Sequence, residues 1–127
     1  FEEIMLDAQQ DFHLVTNEEY ERIVFKENEL FVQHKNGQVV DVKVLSRGTS
    51  EPLYVAIRLA YIKNTQDMLQ VPIIMDDPFV NFDRMRQRNM YELMQKLGED
   101  LQIIYFTFDP IALEYFEDEQ ITRLNER

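Results

Sequence analysis

The sequence contains no cysteine, which excludes a disulfide framework and any thiolate metal site. It also lacks an apolar run near the roughly 20 residues of a membrane span, and a basic-then-apolar leader with a small-residue cleavage site. A soluble domain is expected. Positive charge is scarce, with 13 Lys and Arg against 24 Asp and Glu and a formal net charge of -11. Such a chain repels a phosphate backbone, whereas nucleic-acid binders carry a basic stripe that displaces counterions. Any DNA handled by the parent protein is therefore expected to be held mostly elsewhere. Glycine is limited to Gly37, Gly48 and Gly98, and no Gly-x-x-x-x-Gly-Lys-Ser/Thr surrounds any of them. The loop that cradles nucleotide phosphates is missing from this chain.

What is present is an apolar fraction of 45% in 127 residues, enough for one small core and too short for two. Phe1 already enters an apolar periodicity, so the sequence reads as a piece of a longer polypeptide. Phe1, Ile4, Met5, Ala8, Phe12 and Val15 recur at spacings of three and four, predicting an amphipathic helix to about Phe12.

Three runs rich in β-branched and aromatic residues follow, Arg22 to Lys26, Glu29 to His34 and Gln38 to Val44. Asn36-Gly37 suits a type I′ hairpin turn between the last two, since both residue types tolerate positive φ. Val40, Val42 and Val44 alternate with Asp41 and Lys43, predicting one buried face. From Pro52, the residues Leu53, Ala56, Ile57, Ala60 and Tyr61 mark a helix to about Asn64, with Ser50 as its cap and Pro52 in its first turn.

Val71 to Met75 is apolar without alternation and stops at Asp76-Asp77, as expected of a strand buried on both faces; Leu101 to Thr107 reads as a second. Between them Met85, Met90, Leu93, Met94 and Leu97 predict a helix ending near Gly98, so the unit is a right-handed parallel crossover. Ile111, Leu113 and Phe116 fall at roughly helical spacing, and Ile121 and Leu124 in a short final strand. The expected fold is α/β, parallel strands with flanking helices plus an antiparallel meander, in one domain over residues 1–127.

Two features could carry chemistry. Asp76-Asp77 ends a strand where open α/β sheets place ligands, and such acids can bind Mg²⁺ or orient a water. They could equally begin a solvated loop before Pro78. Leu45-Ser46-Arg47-Gly48-Thr49 leads into a helix N-terminus suited to phosphate, or is an ordinary turn with Gly48 serving backbone geometry. His13 and His34 are far apart, Ser46 has no nearby His to activate it, and Arg84, Arg86 and Arg88 read as solvated or paired with acids.

The combination is more specific. Leu45 to Thr49 followed by Leu53 to Ala60 resembles the ABC signature motif and its helix. Ile73-Ile74-Met75-Asp76-Asp77-Pro78 resembles a Walker B strand, and Val80-Asn81-Phe82-Asp83 the D-loop after it. Order and spacing agree across about Val44 to Thr107. The resemblance is to the C-terminal half of an ABC-type ATPase head of the SMC/SbcC class, with wording closest to bacterial YhaN-like DNA-repair ATPases.

That resemblance implies the C-terminal lobe of a P-loop ABC ATPase head. Residues 1–13 would end a coiled-coil arm, although a plain domain helix fits equally. Residues 20–44 form the meander, 45–64 the signature loop and helix, 71–83 Walker B and D-loop, and 101–107 the buried strand. Asp76 would be the Mg²⁺-associated acid and Asp77 the counterpart of the catalytic Glu, one methylene shorter. Ser46 and Gly48 would contact the γ-phosphate of ATP on the opposite subunit, with Asn81 and Asp83 at the same interface. ATP and Mg²⁺ would both require the N-terminal half of the head.

One departure is that Ile103 to Thr107 should end in a switch His, but Phe108-Asp109-Pro110 follows; its role passes to Thr107 or Asp109, or hydrolysis is slow. Implied partners are the N-terminal half, a second head in an ATP-sandwiched dimer, a nuclease, and DNA through the complete protein. The work implied is cytoplasmic DNA repair or end processing, with this fragment inactive alone. The alternative is a relative in which nucleotide gates dimerisation with little turnover.

Overall fold

The computed structural model describes residues 2–65 and 71–124; Phe1, the first position of the expected helical stripe, lies outside them. Helix α1 spans Glu2–Val15 and carries acids in its first turn, where the helix dipole favours them. Its end is marked by the Thr16 hydroxyl donating to the Phe12 carbonyl and by left-handed Asn17 and Glu18. An antiparallel meander follows, β1 (Tyr20–Lys26), β2 (Glu29–His34) and β3 (Val39–Asp41).

The two hairpins differ from expectation in where positive φ falls. Glu27 and Asn28, at φ 53° and 63°, make the two-residue β1–β2 connection, as a type I′ turn requires. At the β2–β3 connection only Gly37 is left-handed (φ 91°), and the loop is longer, with His34 N–H donating to the Gln38 carbonyl at 2.8 Å. Asn36 uses its carboxamide instead, accepting from Gln38 N–H at 2.9 Å. The third strand also stops early. The Asp41 carboxylate accepts from Lys43 N–H and turns Val42–Val44 into a 3₁₀ segment, so Val42 is buried while Val44 is exposed.

Helix α2 spans Arg47–Asn64, starting before the expected Pro52. Ser46, not Ser50, occupies the N-cap position, and its carbonyl accepts from Thr49 and Ser50 N–H. Pro52 lies inside the helix, where it has no N–H to give to the Gly48 carbonyl.

Strand β4 (Ile73–Asp76) pairs in parallel with β5 (Ile103–Phe106), and α3 (Arg84–Leu97) forms the crossover, ending at Gly98. These strands are not buried on both faces. Ile73 points into the core, but Ile74 is 66% exposed and Ile104 and Phe106 lie open beside it, because alternation sends them to a face that nothing in the described chain covers. After β5 come two 3₁₀ segments, Pro110–Tyr115 and Asp118–Gln120, in place of the expected helical stretch. No strand forms at Ile121 or Leu124.

Two apolar cores share α2. Ala8 and Phe12 of α1 pack with Tyr20, Ile23, Val32 and Val42 against Leu53, Ala56 and Ala60. The second core gathers Leu59, Ile73, Phe79, Phe82, Met90, Tyr91 and Met94. The methionines Met90 and Met94 are core, as their spacing implies, while Met85 is only partly buried.

Candidate functional site

Asp76 is the last residue of β4, paired with Phe106, and its side chain reaches solvent. Asp77 continues the ladder by one bond, its N–H donating to the Phe106 carbonyl at 2.7 Å, and then leaves it at φ 45°. A positive φ is uncommon for a non-glycine residue, though Asp tolerates it better than most, and such positions cluster at functional sites. Its carboxylate is fully directed: Oδ1 accepts from the Thr107 hydroxyl at 2.8 Å and Oδ2 from Phe108 N–H at 3.2 Å. Thr107 Oγ1 in turn accepts from Asp109 N–H, and the Asp109 carboxylate lies 3.7 Å from the Arg84 guanidinium. Of the two candidates to stand in for a switch histidine, Thr107 touches Asp77 directly.

The loop from Pro78 to Asp83 is anchored from below. Phe79 and Phe82 are buried with ring centroids 5.2 Å apart, and Phe79 meets Tyr91 edge-on and Tyr105 at a tilt. Gln87 Nε2 donates to the Phe79 carbonyl at 3.0 Å, fixing the loop's backbone. Burial pushes the Tyr91 and Tyr105 phenols above their ordinary range, so both stay neutral. The anchoring leaves Asn81 and Asp83 exposed at the crest, with Asp83 capping α3 by accepting from Arg86 N–H at 2.8 Å. A groove of about 300 Å³ beside Asp77 is lined by Val80, Arg84, Phe108 and Asp109 among others.

The loop from Leu45 to Thr49 meets this crest. Asn81 Nδ2 reaches the Glu51 carboxylate in the first turns of α2, and a Cβ built on Gly48 would stand 3.6 Å from the Asn81 carbonyl. That is ordinary contact, and Gly48 does not have positive φ. Backbone geometry therefore does not require glycine at position 48. Ser46 is exposed, its hydroxyl donating to Thr49 Oγ1 at 3.3 Å.

Arg86, given no role by the sequence, proves central. Its Nη1 donates to the Gly48 carbonyl (3.4 Å) and to Asp83 Oδ2 (3.2 Å), and its Nη2 lies 3.5 Å from Glu19 Oε2. The i, i+3 spacing of Asp83 and Arg86 was a sequence signal for one of these contacts; the others come from parts of the chain that only the fold brings together. His13 and His34 serve structure: His13 Nδ1 bonds the Tyr20 carbonyl and His34 Nδ1 accepts from Asn36 N–H.

Among the described residues no three His, Asp or Glu gather as a metal site. The donor set still fits Mg²⁺, which keeps several waters and is usually held by one or two carboxylates plus nucleotide phosphates. Asp76 offers such a carboxylate, free of internal hydrogen bonds to other described side chains.

No protein-family model matches the chain. Its structure superposes on that of an SMC ATPase studied for ATP-driven dimerization and DNA stimulated activation, with TM-score 0.76 and 14% identity over 91% of this chain and 73% of that one. A Smc head domain from Pyrococcus furiosus, with an extended coiled coil and bound to the C-terminal domain of ScpA, gives TM-score 0.74 at 14% identity, covering 91% and 30%. In sequence the chain is 31% identical, over 83 residues, to the DNA double-strand break repair Rad50 ATPase of Sulfolobus acidocaldarius, covering 65% of this chain and 9% of that protein. Architecture and sequence define the class: the chain is a fragment of an SMC/SbcC-like ATPase head, with the fold of its C-terminal lobe. Within that class it is 35% identical over 116 residues, 89% of its length, to the uncharacterized protein YhaN of Bacillus subtilis, of which it spans 12%. No helix among the described residues is long and apolar enough to cross a membrane.

Proposed function

We infer that this chain supplies the signature motif, the Walker B acids and the D-loop of a composite ATPase site. ATP binding would clamp two heads together and hydrolysis would release them. The observation that carries this reading is the contact of Gly48 with the D-loop: a glycine that neither the backbone nor its neighbours require sits beside Asn81 on an exposed crest. A surface kept free of side chains suits close approach by a phosphate from outside the chain.

In this reading Ser46 and Gly48 contact the γ-phosphate held by the opposite head, and Asn81 and Asp83 line the same interface. Asp76 would hold Mg²⁺, which supplies charge neutralisation of the phosphates when bound. Asp77, aimed by Thr107 and Phe108 N–H, orients the attacking water and takes its proton. The open face of Ile74, Ile104 and Phe106 supports an N-terminal lobe of the same head packing there and bringing the phosphate loop.

The likeness to a repair ATPase supports cytoplasmic work in DNA repair or end processing, with a partner nuclease and DNA engaged by the complete protein. A second reading is favoured by the Asp77 carboxylate itself, whose two oxygens are both already bonded. There nucleotide gates dimerisation and turnover is slow.

The test is ATP hydrolysis by this chain alone and mixed with the N-terminal half from its parent gene. Turnover only in the mixture supports the composite site. Dimers without phosphate release support the gating reading, and turnover by the chain alone would overturn both.

A further inference from the structure

Among the cations that form ion pairs in the described residues, Arg86 is set apart by burial. Its side chain is 11% exposed, against 42% to 80% for Lys43, Arg47, Lys63 and Arg84. Withdrawing a guanidinium from water is costly unless its donors are met with good geometry. The two Nη groups of Arg86 reach three separate parts of the chain, while its buried Nε has no hydrogen-bond partner among the described residues.

Gly48 belongs to the signature loop, Asp83 to the D-loop, and Glu19 to the turn that follows α1. The Gly48 carbonyl is available because Pro52, at the position that would bond it within α2, has no N–H. One turn further along α3, on the same face, Asn89 Nδ2 donates to the Val15 carbonyl at 2.9 Å and to Asn17 Oδ1 at 2.8 Å. That amide meets the open carbonyl end of α1. A single edge of α3 therefore grips the base of α1 with two side chains while one of them also fixes the signature loop and the D-loop.

We propose that Arg86, with Asn89 beside it, is a positioning residue that couples the base of α1 to the nucleotide-engaging crest. A displacement of α1 must move the Glu19 and Val15 contacts, hence α3 and its cap Asp83. By linkage, a crest locked by an opposing head must in turn restrain the base of α1. This rests on the functional reading above for what the crest engages; the coupling itself is a property of this chain.

The experiment uses the intact parent protein. Without nucleotide, amide hydrogen exchange is followed at residues 15–20 in Asp83→Ser, which keeps an N-cap acceptor but removes the ion pair. Coupling predicts exchange there faster by about tenfold, although residue 83 does not bond to that segment, with the same response in Arg86→Gln and none in the exposed Arg88→Gln. With ATP, Arg86→Gln is expected to weaken dimerisation by about tenfold when measured well below its own lowered thermal midpoint, and Arg86→Lys to recover part of it, since lysine restores charge without the fork.

Wild-type exchange at residues 15–20 in Asp83→Ser would overturn the proposal, as would wild-type dimerisation by Arg86→Gln. If the unmutated protein forms no ATP-dependent dimer, the functional reading fails, and the nucleotide-free exchange still decides the coupling. Should Arg86→Gln fail to fold, Asp83→Ser and Arg86→Lys carry the test.

Discussion

The Thr107 hydroxyl donates to the Asp77 carboxylate at 2.8 Å, so the residue that follows β5 aims the acid that follows β4. The pair bridges two parallel strands at the end where α/β sheets place their ligands. Thr107→Val in the reconstituted head should lower kcat about tenfold, the worth of one lost hydrogen bond to a charged group, with KM within about twofold. Thr107→Ser should retain most activity. Activity kept in Thr107→Val and lost in Thr107→Ser would mean that the methyl group matters rather than the hydroxyl. Asp77→Asn should abolish measurable hydrolysis while leaving nucleotide-driven dimers intact.

Gly48→Ala separates function from folding. Alanine is favoured over glycine in a helix by about 1 kcal/mol, and the built Cβ meets only ordinary contact. Denaturant unfolding should show equal or greater stability, and sedimentation of the complete head with ATP should show dimerisation lost. A variant that still dimerises would return Gly48 to the status of a plain turn residue.

Pro52 and Arg86 act on one carbonyl. Pro52→Ala restores an N–H able to bond Gly48, so it should offset part of the destabilisation caused by Arg86→Gln. In a double-mutant cycle by thermal unfolding, the double variant is expected to be more stable than the sum of the singles by about 0.5–1 kcal/mol. Additivity would show that the two do not compete for the carbonyl.

Asp11 is buried in α1, and burial raises its pKa above the ordinary 3.8, with Lys63 opposing and Asp7 adding to the shift. The folded state therefore holds this proton more tightly than the unfolded chain, and folding loses stability as pH rises through and above 3.8. Asp11→Asn should raise the melting temperature at pH 7, and the gain should vanish at pH 3. A gain that persists at pH 3 would have another cause.

Ile104→Glu probes the uncovered sheet face. The chain alone is expected to self-associate through Ile74, Ile104 and Phe106, and light scattering should show the substituted chain closer to monomeric. In the complete head the same change should impair docking of the N-terminal lobe and so hydrolysis.

Element types were legible where the pattern was strong. The 3.6-residue periodicity of α1 and α3, the three meander runs and the two strands flanking a helix all stood in the sequence. Boundaries failed where a side chain overrode the period: the Asp41 carboxylate ended β3, and the helix continued back through Pro52 to Ser46. The turn chemistry misled because Glu27-Asn28 lacks a glycine yet takes the two-residue turn, while Asn36 spends its amide on a local bond. Asp76, Asp77, Ser46, Gly48, Asn81 and Asp83 are proposed from ordered motifs. Arg86 is not, since its value lies in contacts between residues 19, 48 and 83 that no short window contains.

Helix α2 contributes Leu53, Ala56 and Ala60 to one core and Leu59 to the other. Neither core can lose this helix without exposing the other, so the meander side and the parallel-strand side are expected to melt in one cooperative step. A segment that bears Ser46 and Gly48 at its tip is thus denied the local unfolding open to an ordinary surface helix. Force applied at its N-terminal end is borne by both cores at once.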